Sequence, residues 1–181
     1  IDNGVRIPIK VTGLGLDHIS KHTILDDFTI KAKKYKFLHV SSCFPRKGID
    51  VLLQAYQKSF SSEDDVSLVI KTFVNPHNNI SEILKRYKDN DPLFPDVVVL
   101  FDDLSENQVK SLYSNSDALL APSRGEGFGL PIGEAMLQKL PVITTSWGGQ
   151  TDFCNANNSW LVDFKFARAN SHFNLSYSYW A

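Results

Sequence analysis

The sequence is poor in cysteine and has no long apolar run. Its 181 residues include only two cysteines, Cys43 and Cys154, too few for the disulfide framework of a small secreted domain. We therefore expect reduced thiols in a cytoplasmic protein. No segment approaches the roughly 20 apolar residues of a membrane-spanning helix, and the start does not resemble a signal peptide. The first residue is Ile1 rather than methionine, which favours a fragment of a longer protein, and membrane association is expected only through the rest of that protein.

An excess of charge of one sign is also missing. The formal net charge is -1, so a general attraction to nucleic acid or to acidic membranes is not expected. The basic residues between Lys31 and Lys36 form a short run that is typical of a solvated surface before a strand. Hydrophobic residues make up 43% and charged residues 22% of the chain, as in an ordinary globular domain.

Short apolar runs rich in β-branched residues alternate with helical patterns along the middle of the chain. Six strands are predicted, at residues 37–40, 66–70, 97–101, 118–121, 142–144 and 160–162. The third is nearly all apolar, which predicts a strand covered on both faces. Helices are predicted at 49–60, at 80–87, after a capping box at 105–108, and from Pro131 as first helical residue to about Lys139. This alternation predicts an α/β fold, a Rossmann-like parallel sheet flanked by helices.

The two ends break the alternation. Residues 1–35 have glycines and a proline without clear periodicity and are interpreted as an incoming linker or interdomain segment. Residues 36–163 form the predicted Rossmann-like domain. Residues 164–181 are interpreted as a truncated C-terminal extension, because they carry aromatic side chains without an obvious core: Phe164, Phe166, Phe173, Tyr177, Tyr179 and Trp180.

The chemistry is concentrated after the fourth predicted strand, where a glycine-rich loop leads straight into a helix. Ligands of open parallel sheets bind beyond the carboxyl ends of the strands, and a helix start suits phosphate. Three glycines allow a ligand to approach the backbone closely: Gly125, Gly127 and Gly129. The carboxylates of Glu126 and Glu134 would repel phosphate and suit hydroxyl groups instead, which donate hydrogen bonds to them. A diphosphate between two sets of hydroxyls describes a nucleotide sugar.

This stretch resembles the E-x7-E signature of retaining glycosyltransferases, with Glu126 and Glu134 as its two acids. Over roughly residues 37–162 the chain is similar to the C-terminal donor domain of the GT-B superfamily usually called family 4. The resemblance implies the C-terminal half of a GT-B glycosyltransferase, whose Rossmann-like domain binds a nucleotide sugar. It implies that Glu126 contacts the hydroxyls of the donor sugar and that Glu134 contacts the ribose. The rest of the implied donor-binding loop is Gly127, Phe128, Gly129 and Leu130.

The same resemblance assigns diphosphate binding to Lys47, which stands just before a glycine. The family usually has an arginine a few residues earlier, where this chain has Ser41 and Ser42. Either Arg46 supplies the second cation from a different angle, or the phosphate is held more weakly. Lys47, Arg46 and Glu126 are therefore the candidate catalytic residues.

Other polar features stay ambiguous on the sequence alone. Lys71 stands where the family commonly shows glycine, either as a further cationic contact or as a rim residue. Arg124 either braces the loop or contacts the donor. The triplet Asp89-Asn90-Asp91 has the D-x-D form of a metal site but fits a solvated turn, and His18 and His22 lack the acidic residues of a zinc motif. No metal site and no cofactor are predicted.

These features predict an enzyme that transfers a glycosyl group from a UDP- or GDP-linked sugar to an acceptor, with retention of anomeric configuration. Polysaccharide or surface-glycan biosynthesis is the expected context. A nucleotide-sugar epimerase or hydrolase of the same fold and a non-catalytic nucleotide-binding domain remain alternatives. Because a GT-B active site lies between two domains, we expect a missing N-terminal acceptor domain and little activity from these residues alone.

Overall fold

The computed structural model describes residues 4, 6–10, 12–20, 28–169 and 179–181. The strands of its main sheet are β1 Tyr35–Val40, β2 Val66–Lys71, β3 Asp96–Leu100, β4 Ala118–Ala121, β5 Val142–Thr145 and β6 Trp160–Val162. The helices are α1 Asp17–Ser20, α2 Ile49–Ser59, α3 Ile80–Asn90, α4 Glu106–Ser114 and α5 Leu130–Leu137. Short 3₁₀ turns lie at Pro45–Lys47 and Gly149–Asp152, and a small separate sheet pairs β7 Ala167–Arg168 with β8 Tyr179–Trp180.

The six strands of the main sheet are parallel and lie in the order β3-β2-β1-β4-β5-β6. This is the doubly wound order, in which successive units turn outwards on either side of β1 and β4. The predicted α/β fold with a Rossmann-like parallel sheet flanked by helices is confirmed. Strands β1 and β4 are adjacent, and the chain that follows them turns outwards in opposite directions. This position is a topological switch point, and such a point opens a crevice where ligands bind.

The sheet separates two apolar cores, and β2 contributes to both. Leu68 and Ile70 belong to the core formed with α2 and α3, whereas Val69 belongs to the core formed with α4 and α5. Alternate residues of a strand point to opposite faces, so this division follows from the period of two. Leu53 of α2 and Leu112 of α4 have no exposed surface, and burying a side chain of this size contributes about 1.5–3 kcal/mol.

Strand β3 has the cover on both faces that its apolar sequence predicts, although it lies at the edge of the sheet. Val98 packs against the core formed with α4 and α5, whereas Val97 and Val99 pack in the core formed with α2 and α3; of these three, only Val97 is fully buried. The strand with the expected continuous burial is β2, of which only the last residue, Lys71, is partly exposed. An apolar run therefore indicated a strand correctly but not its place in the sheet.

Local sequence signals predicted the start of α4 correctly and the ends of α5 less accurately. Ser105 Oγ accepts a hydrogen bond from the Gln108 amide and the Gln108 side chain accepts one from the Ser105 amide, which confirms the capping box. Helix α5 differs from the prediction, because Pro131 is its second residue and the helix ends at Leu137. Gly129, with a left-handed φ of 89°, directly precedes the helix. Lys139 has a φ of 59°, which is not helical, so the helix does not extend to this residue.

The segments at either end also contact the domain where the structure describes them. Ile19 and Ile30 are buried, so parts of the predicted linker pack against the core. Beyond β6, Phe164 and Phe166 form an aromatic cluster with Trp147, at ring-centroid distances of 4.8–5.5 Å. Phe173, Tyr177 and His22 lie outside the described residues. The domain boundaries at 35/36 and 163/164 stay predictions.

Cys43 and Cys154 are both buried and free of any disulfide, and burial raises the pKa of both thiols. Within the described ranges, no helix combines the length and apolar character needed to cross a bilayer.

Candidate functional site

The crevice at the switch point is formed by two loops that touch each other. One runs from the end of β1 through the 3₁₀ turn at Pro45–Lys47, and the other follows β4. The Arg124 amide donates to the Arg46 carbonyl at 2.7 Å. Gly48 has φ 70°, and a Cβ there would overlap the Pro122 carbonyl, so this contact requires glycine. The two loops therefore form one continuous surface at the carboxyl edge of the sheet.

A buried histidine shapes the loop after β1. His39 Nδ1 lies 2.7 Å from the Leu120 carbonyl and its Nε2 lies 2.8 Å from Ser41 Oγ. Because a carbonyl only accepts, Nδ1 carries the proton and Nε2 accepts from the Ser41 hydroxyl. Ser41 Oγ also accepts from the Cys43 amide at 3.0 Å, where the chain takes a left-handed turn with φ 54°. His39 is thus a buried histidine with both ring nitrogens hydrogen-bonded, and it fixes the turn that leads to Lys47.

Three predicted catalytic side chains meet where the loops join. Lys47 Nζ lies 2.5 Å from Glu126 Oε1, and only 12% and 9% of the two side chains are exposed. Arg46 donates to the Gly125 carbonyl at 3.0 Å and lies 3.7 Å from Glu126 Oε2. The set carries two positive charges and one negative charge, so one unit of positive charge remains. Its geometry links the β1 loop and the glycine-rich loop across 79 residues of sequence.

The glycine-rich loop is held against the segment that follows β5. The Gly149 amide donates to the Glu126 carbonyl at 2.9 Å, and a Cβ on Gly149 would overlap the Gly127 carbonyl. Phe128 stacks on Phe153 with ring centroids 5.0 Å apart, so its side chain serves packing. Leu130, the first residue of α5, leaves 41% of its surface exposed.

The start of α5 offers fewer amides to an anion than its position suggests. The first four residues are Leu130, Pro131, Ile132 and Gly133. Proline has no N–H, and the amides of Ile132 and Gly133 donate to the Gly129 carbonyl at 2.9 and 3.1 Å. At most the Leu130 amide of these four is left for a phosphate, so the first turn of α5 contributes little to binding of an anion.

Glu134 is oriented by two residues that the sequence analysis did not assign to the site. The Tyr113 hydroxyl donates to Glu134 Oε2 at 2.7 Å, and His18 Nε2 lies 3.0 Å from Oε1. Burial and the charge of Glu134 raise the pKa of Tyr113 well above its ordinary value, so this hydroxyl remains a donor. Tyr113 could have been suspected, because a buried tyrosine usually needs a hydrogen-bond partner, but the sequence does not identify that partner.

A cavity of about 460 Å³ at this edge brings several predicted residues together. Arg46, Lys47, Lys71 and Glu134 all line it. Glu126 is connected to it through the ion pair with Lys47. The structure thus collects residues from the ends of β1 and β2 and from α5.

The remaining ambiguous residues have structural contacts. Arg124 forms two hydrogen bonds of 2.7 Å with the carboxylate of Asp50 and one of 2.8 Å with the Pro45 carbonyl, which braces the loop. Asp91, in the D-x-D triplet, accepts from Gln57 at 2.7 Å and from the Leu93 amide at 3.0 Å. In the part of the chain that is described, no group of three or more His, Cys, Asp or Glu side chains could hold a metal ion.

The sheet order, the switch-point crevice and its paired charges define a Rossmann-like domain with a polar ligand site. Residues 20–171 match the family described as "Glycosyl transferases group 1", and the chain belongs to that family.

Relatives and solved structures agree with this placement. The chain is 33% identical over 108 residues to the serotype-specific mannosyltransferase WbdA of Escherichia coli, a match covering 59% of this chain and 13% of WbdA. It is 34% identical over 115 residues to the O-antigen chain mannosyltransferase RfbU of Salmonella typhimurium, covering 64% of this chain and 31% of RfbU. The chain therefore spans only a minor part of the length of either relative.

The similar solved structures show the fold. Anabaena HepE in complex with UDP-glucose has a TM-score of 0.61 at 22% identity, covering 72% of this chain and 35% of HepE. The C-terminal domain of the group 1 family protein LpcC from Francisella tularensis has a TM-score of 0.60 at 23% identity, covering 73% of this chain and 69% of that domain. The predicted GT-B fold class is confirmed.

Proposed function

We propose that this chain is the donor-binding half of a retaining GT-B glycosyltransferase of family 4, in which Glu126 and Glu134 are the acids of an E-x7-E motif. It binds a nucleoside diphosphate sugar at the crevice between the loops after β1 and β4. The observation that carries the proposal is the ion pair of Lys47 with Glu126 at this switch point, together with a hydrogen-bonded Glu134 lining the adjoining cavity.

The roles follow from charge and hydrogen bonding. Lys47 and Arg46 bind the diphosphate, the Glu126 carboxylate accepts from hydroxyls of the sugar, and Glu134 accepts from the ribose. When the anomeric C–O bond breaks, the leaving diphosphate gains negative charge, which preorganised cations stabilise more than they stabilise the bound donor. The acceptor oxygen bonds to the anomeric carbon on the face that the diphosphate leaves, and its proton passes to the diphosphate.

A donor that binds to this site must rearrange the ion pair between Lys47 and Glu126. Lys47 is already satisfied by Glu126, so a diphosphate that binds Lys47 draws positive charge away from that carboxylate. Glu126 Oε1 then becomes available to a sugar hydroxyl. One movement of the lysine ammonium thereby serves both ends of the donor, which couples recognition of the diphosphate to recognition of the sugar.

The relatives support a choice of donor and context. WbdA and RfbU are both named as mannosyltransferases, which supports a mannosyl donor and assembly of a surface polysaccharide. HepE, with a similar fold, was solved with UDP-glucose, which supports a nucleotide sugar at this position. The proposal includes an acceptor domain outside these residues, no resident metal and a cytoplasmic location.

The test is calorimetry of the intact protein with UDP, GDP, GDP-mannose and UDP-glucose, followed by transfer assays with the donor that binds. Replacing Lys47 by alanine should reduce transfer about a hundredfold, because removal of one such donor costs on the order of 3 kcal/mol. Lys85→Ala is the control, since Lys85 is exposed on α3 and does not line the cavity. Normal turnover by Lys47→Ala would remove Lys47 from the site.

The product identifies the reaction class. Transfer that requires an acceptor supports the proposal, and the anomeric configuration of the product tests retention. Product formation without any acceptor would instead identify an epimerase or a hydrolase. Tight binding without turnover in the intact protein would identify a nucleotide-binding domain without catalysis.

A further inference from the structure

Lys71 occupies an unusual place in the sheet. It is the last residue of β2, pairs with Val40 of β1, and follows five buried residues. Lysine is seldom found in so buried a strand unless its ammonium has a polar environment. Because β2 is parallel to β1, Lys71 emerges at the same carboxyl edge as the loop that carries Lys47.

Lys71 shares the cavity with the proposed donor-binding residues. It lines the space of about 460 Å³ together with Arg46, Lys47 and Glu134. Lys71 is fixed in the backbone ladder of β2, with hydrogen-bonded neighbours in β1 and β3. Its Cα is therefore held by the sheet, whereas Arg46 and Lys47 stand on a loop.

The ammonium of Lys71 has a weaker partner than that of Lys47. Lys71 Nζ donates to the Thr72 carbonyl at 2.8 Å, and none of the ion pairs formed among the described residues includes it. Lys47, by contrast, is paired with Glu126. A partly buried ammonium without a carboxylate has lost hydration without gaining an opposite charge. An anion in the cavity would supply that charge.

The start of α5 offers few amide donors to a phosphate, so an additional cation would contribute to binding. At most one amide of the first four residues of α5 is left for a phosphate, as described above. A nucleoside diphosphate carries more than one negative charge, whereas the charges of Arg46 and Lys47 are already balanced by the carboxylates of Glu126 and Glu134. Lys71 adds a charge that no carboxylate in the described ion pairs offsets.

We propose that Lys71 is a third diphosphate-binding cation, which acts with Lys47 and gives this site its preference for a diphosphate over a monophosphate. The proposal rests on the function proposed above. Lys71 acts as a compact, rotatable point charge, placed by a strand end rather than by a loop.

Calorimetry of the intact protein tests the assignment with five probes: UDP, UMP, GDP, GMP and inorganic pyrophosphate. The variants are Lys71→Met, which removes charge and donor, Lys71→Gln, which keeps a donor for the Thr72 carbonyl, and Lys71→Arg, which keeps the charge. Lys85→Met is the matched control on the surface of α3. Melting temperatures of all variants show whether the fold is intact.

We expect Lys71→Met and Lys71→Gln to weaken binding of diphosphates and pyrophosphate about tenfold, or about 1.4 kcal/mol. Binding of the monophosphates should weaken by a smaller factor. Lys71→Arg should retain most of the affinity for diphosphates, and Lys85→Met should bind all probes as tightly as the wild type. Because Lys71→Gln keeps a polar side chain with an N–H donor, it remains informative if Lys71→Met fails to fold.

Two results would overturn the assignment: unchanged diphosphate affinity in Lys71→Gln, or equal losses for monophosphates and diphosphates. Failure of the proposed function looks different. In that case the wild type binds none of the five probes, or Lys47→Ala and Lys71→Gln both leave binding unchanged.

Discussion

Acid should destabilise this protein through one buried histidine. Burial is the main cause that lowers the pKa of His39 from 6.5 to about 4; the charge of Lys47 adds to this shift, whereas the Leu120 carbonyl and the charge of Glu126 oppose it. The native state therefore holds His39 neutral at a pH where the unfolded chain binds a proton. Since the unfolded state binds more protons between these two values, stability rises with pH. Stability therefore begins to fall as the pH drops below 6.5, and the loss is complete once the pH is below about 4.

The magnitude follows from the two pKa values. A fall from 6.5 to about 4 corresponds to about 3 kcal/mol at full protonation, at about 1.36 kcal/mol per pKa unit. At pH 5 the unfolded histidine is almost fully protonated and the native one mostly neutral, which gives a loss of about 2 kcal/mol relative to pH 7. This is a large part of the ordinary 5–15 kcal/mol stability of a domain.

The assay is urea unfolding followed by tryptophan fluorescence at several pH values between 7 and 4.5. The test variant is His39→Asn, whose amide can donate to the Leu120 carbonyl but does not titrate. His77→Asn is the matched control, because His77 is exposed. His39→Asn should be less stable than the wild type at pH 7 and should lose about 2 kcal/mol less between pH 7 and 5. Equal pH dependence in the wild type and His39→Asn would refute the reasoning.

Two further predictions concern the walls of the site. Tyr113→Phe removes the hydroxyl that donates to Glu134 at 2.7 Å and should weaken binding of a ribonucleoside diphosphate about tenfold. Calorimetry should show a much smaller loss of affinity for a 2′,3′-dideoxy analogue. Equal losses of affinity would exclude a role of Tyr113 in orienting Glu134 towards the ribose. Gly149→Ala should destabilise the fold by about 2 kcal/mol or more, because its Cβ would overlap the Gly127 carbonyl. Gly125→Ala, where no atom lies within 4 Å of the new Cβ, is the control in thermal unfolding, and a similar loss in both would contradict the steric explanation.

The features that the sequence predicted well depend on local signals. The capping box at Ser105 and Gln108 needs only a spacing of three residues, and it formed as expected. The six strands were found because each is a short apolar run between polar turns. The family resemblance named Lys47 and Glu126 as candidate site residues without a contact between them, and the structure joins their side chains at 2.5 Å.

The features that were missed depend on contacts between distant segments. The sequence of β3 does not say whether another strand lies beyond it, so its edge position was not predicted. The sequence analysis assigned neither Tyr113 of α4 nor His18 of the predicted linker to the site, yet both contact Glu134. The start of α5 was placed one residue late, because proline suits either of the first two positions and only the left-handed Gly129 decides between them.

The switch point also affects how the protein can be observed while it folds. The walls of the crevice come from loops 79 residues apart, joined by Lys47 and Glu126 and by the amide of Arg124. Neither half of the chain has a complete crevice, so the nucleotide affinity that we propose should first appear when β1 and β4 have paired. A ligand that binds only this assembled state stabilises it in proportion to the logarithm of ligand concentration. Under the proposed function, nucleotide binding should therefore report the step at which the two halves of the sheet come together.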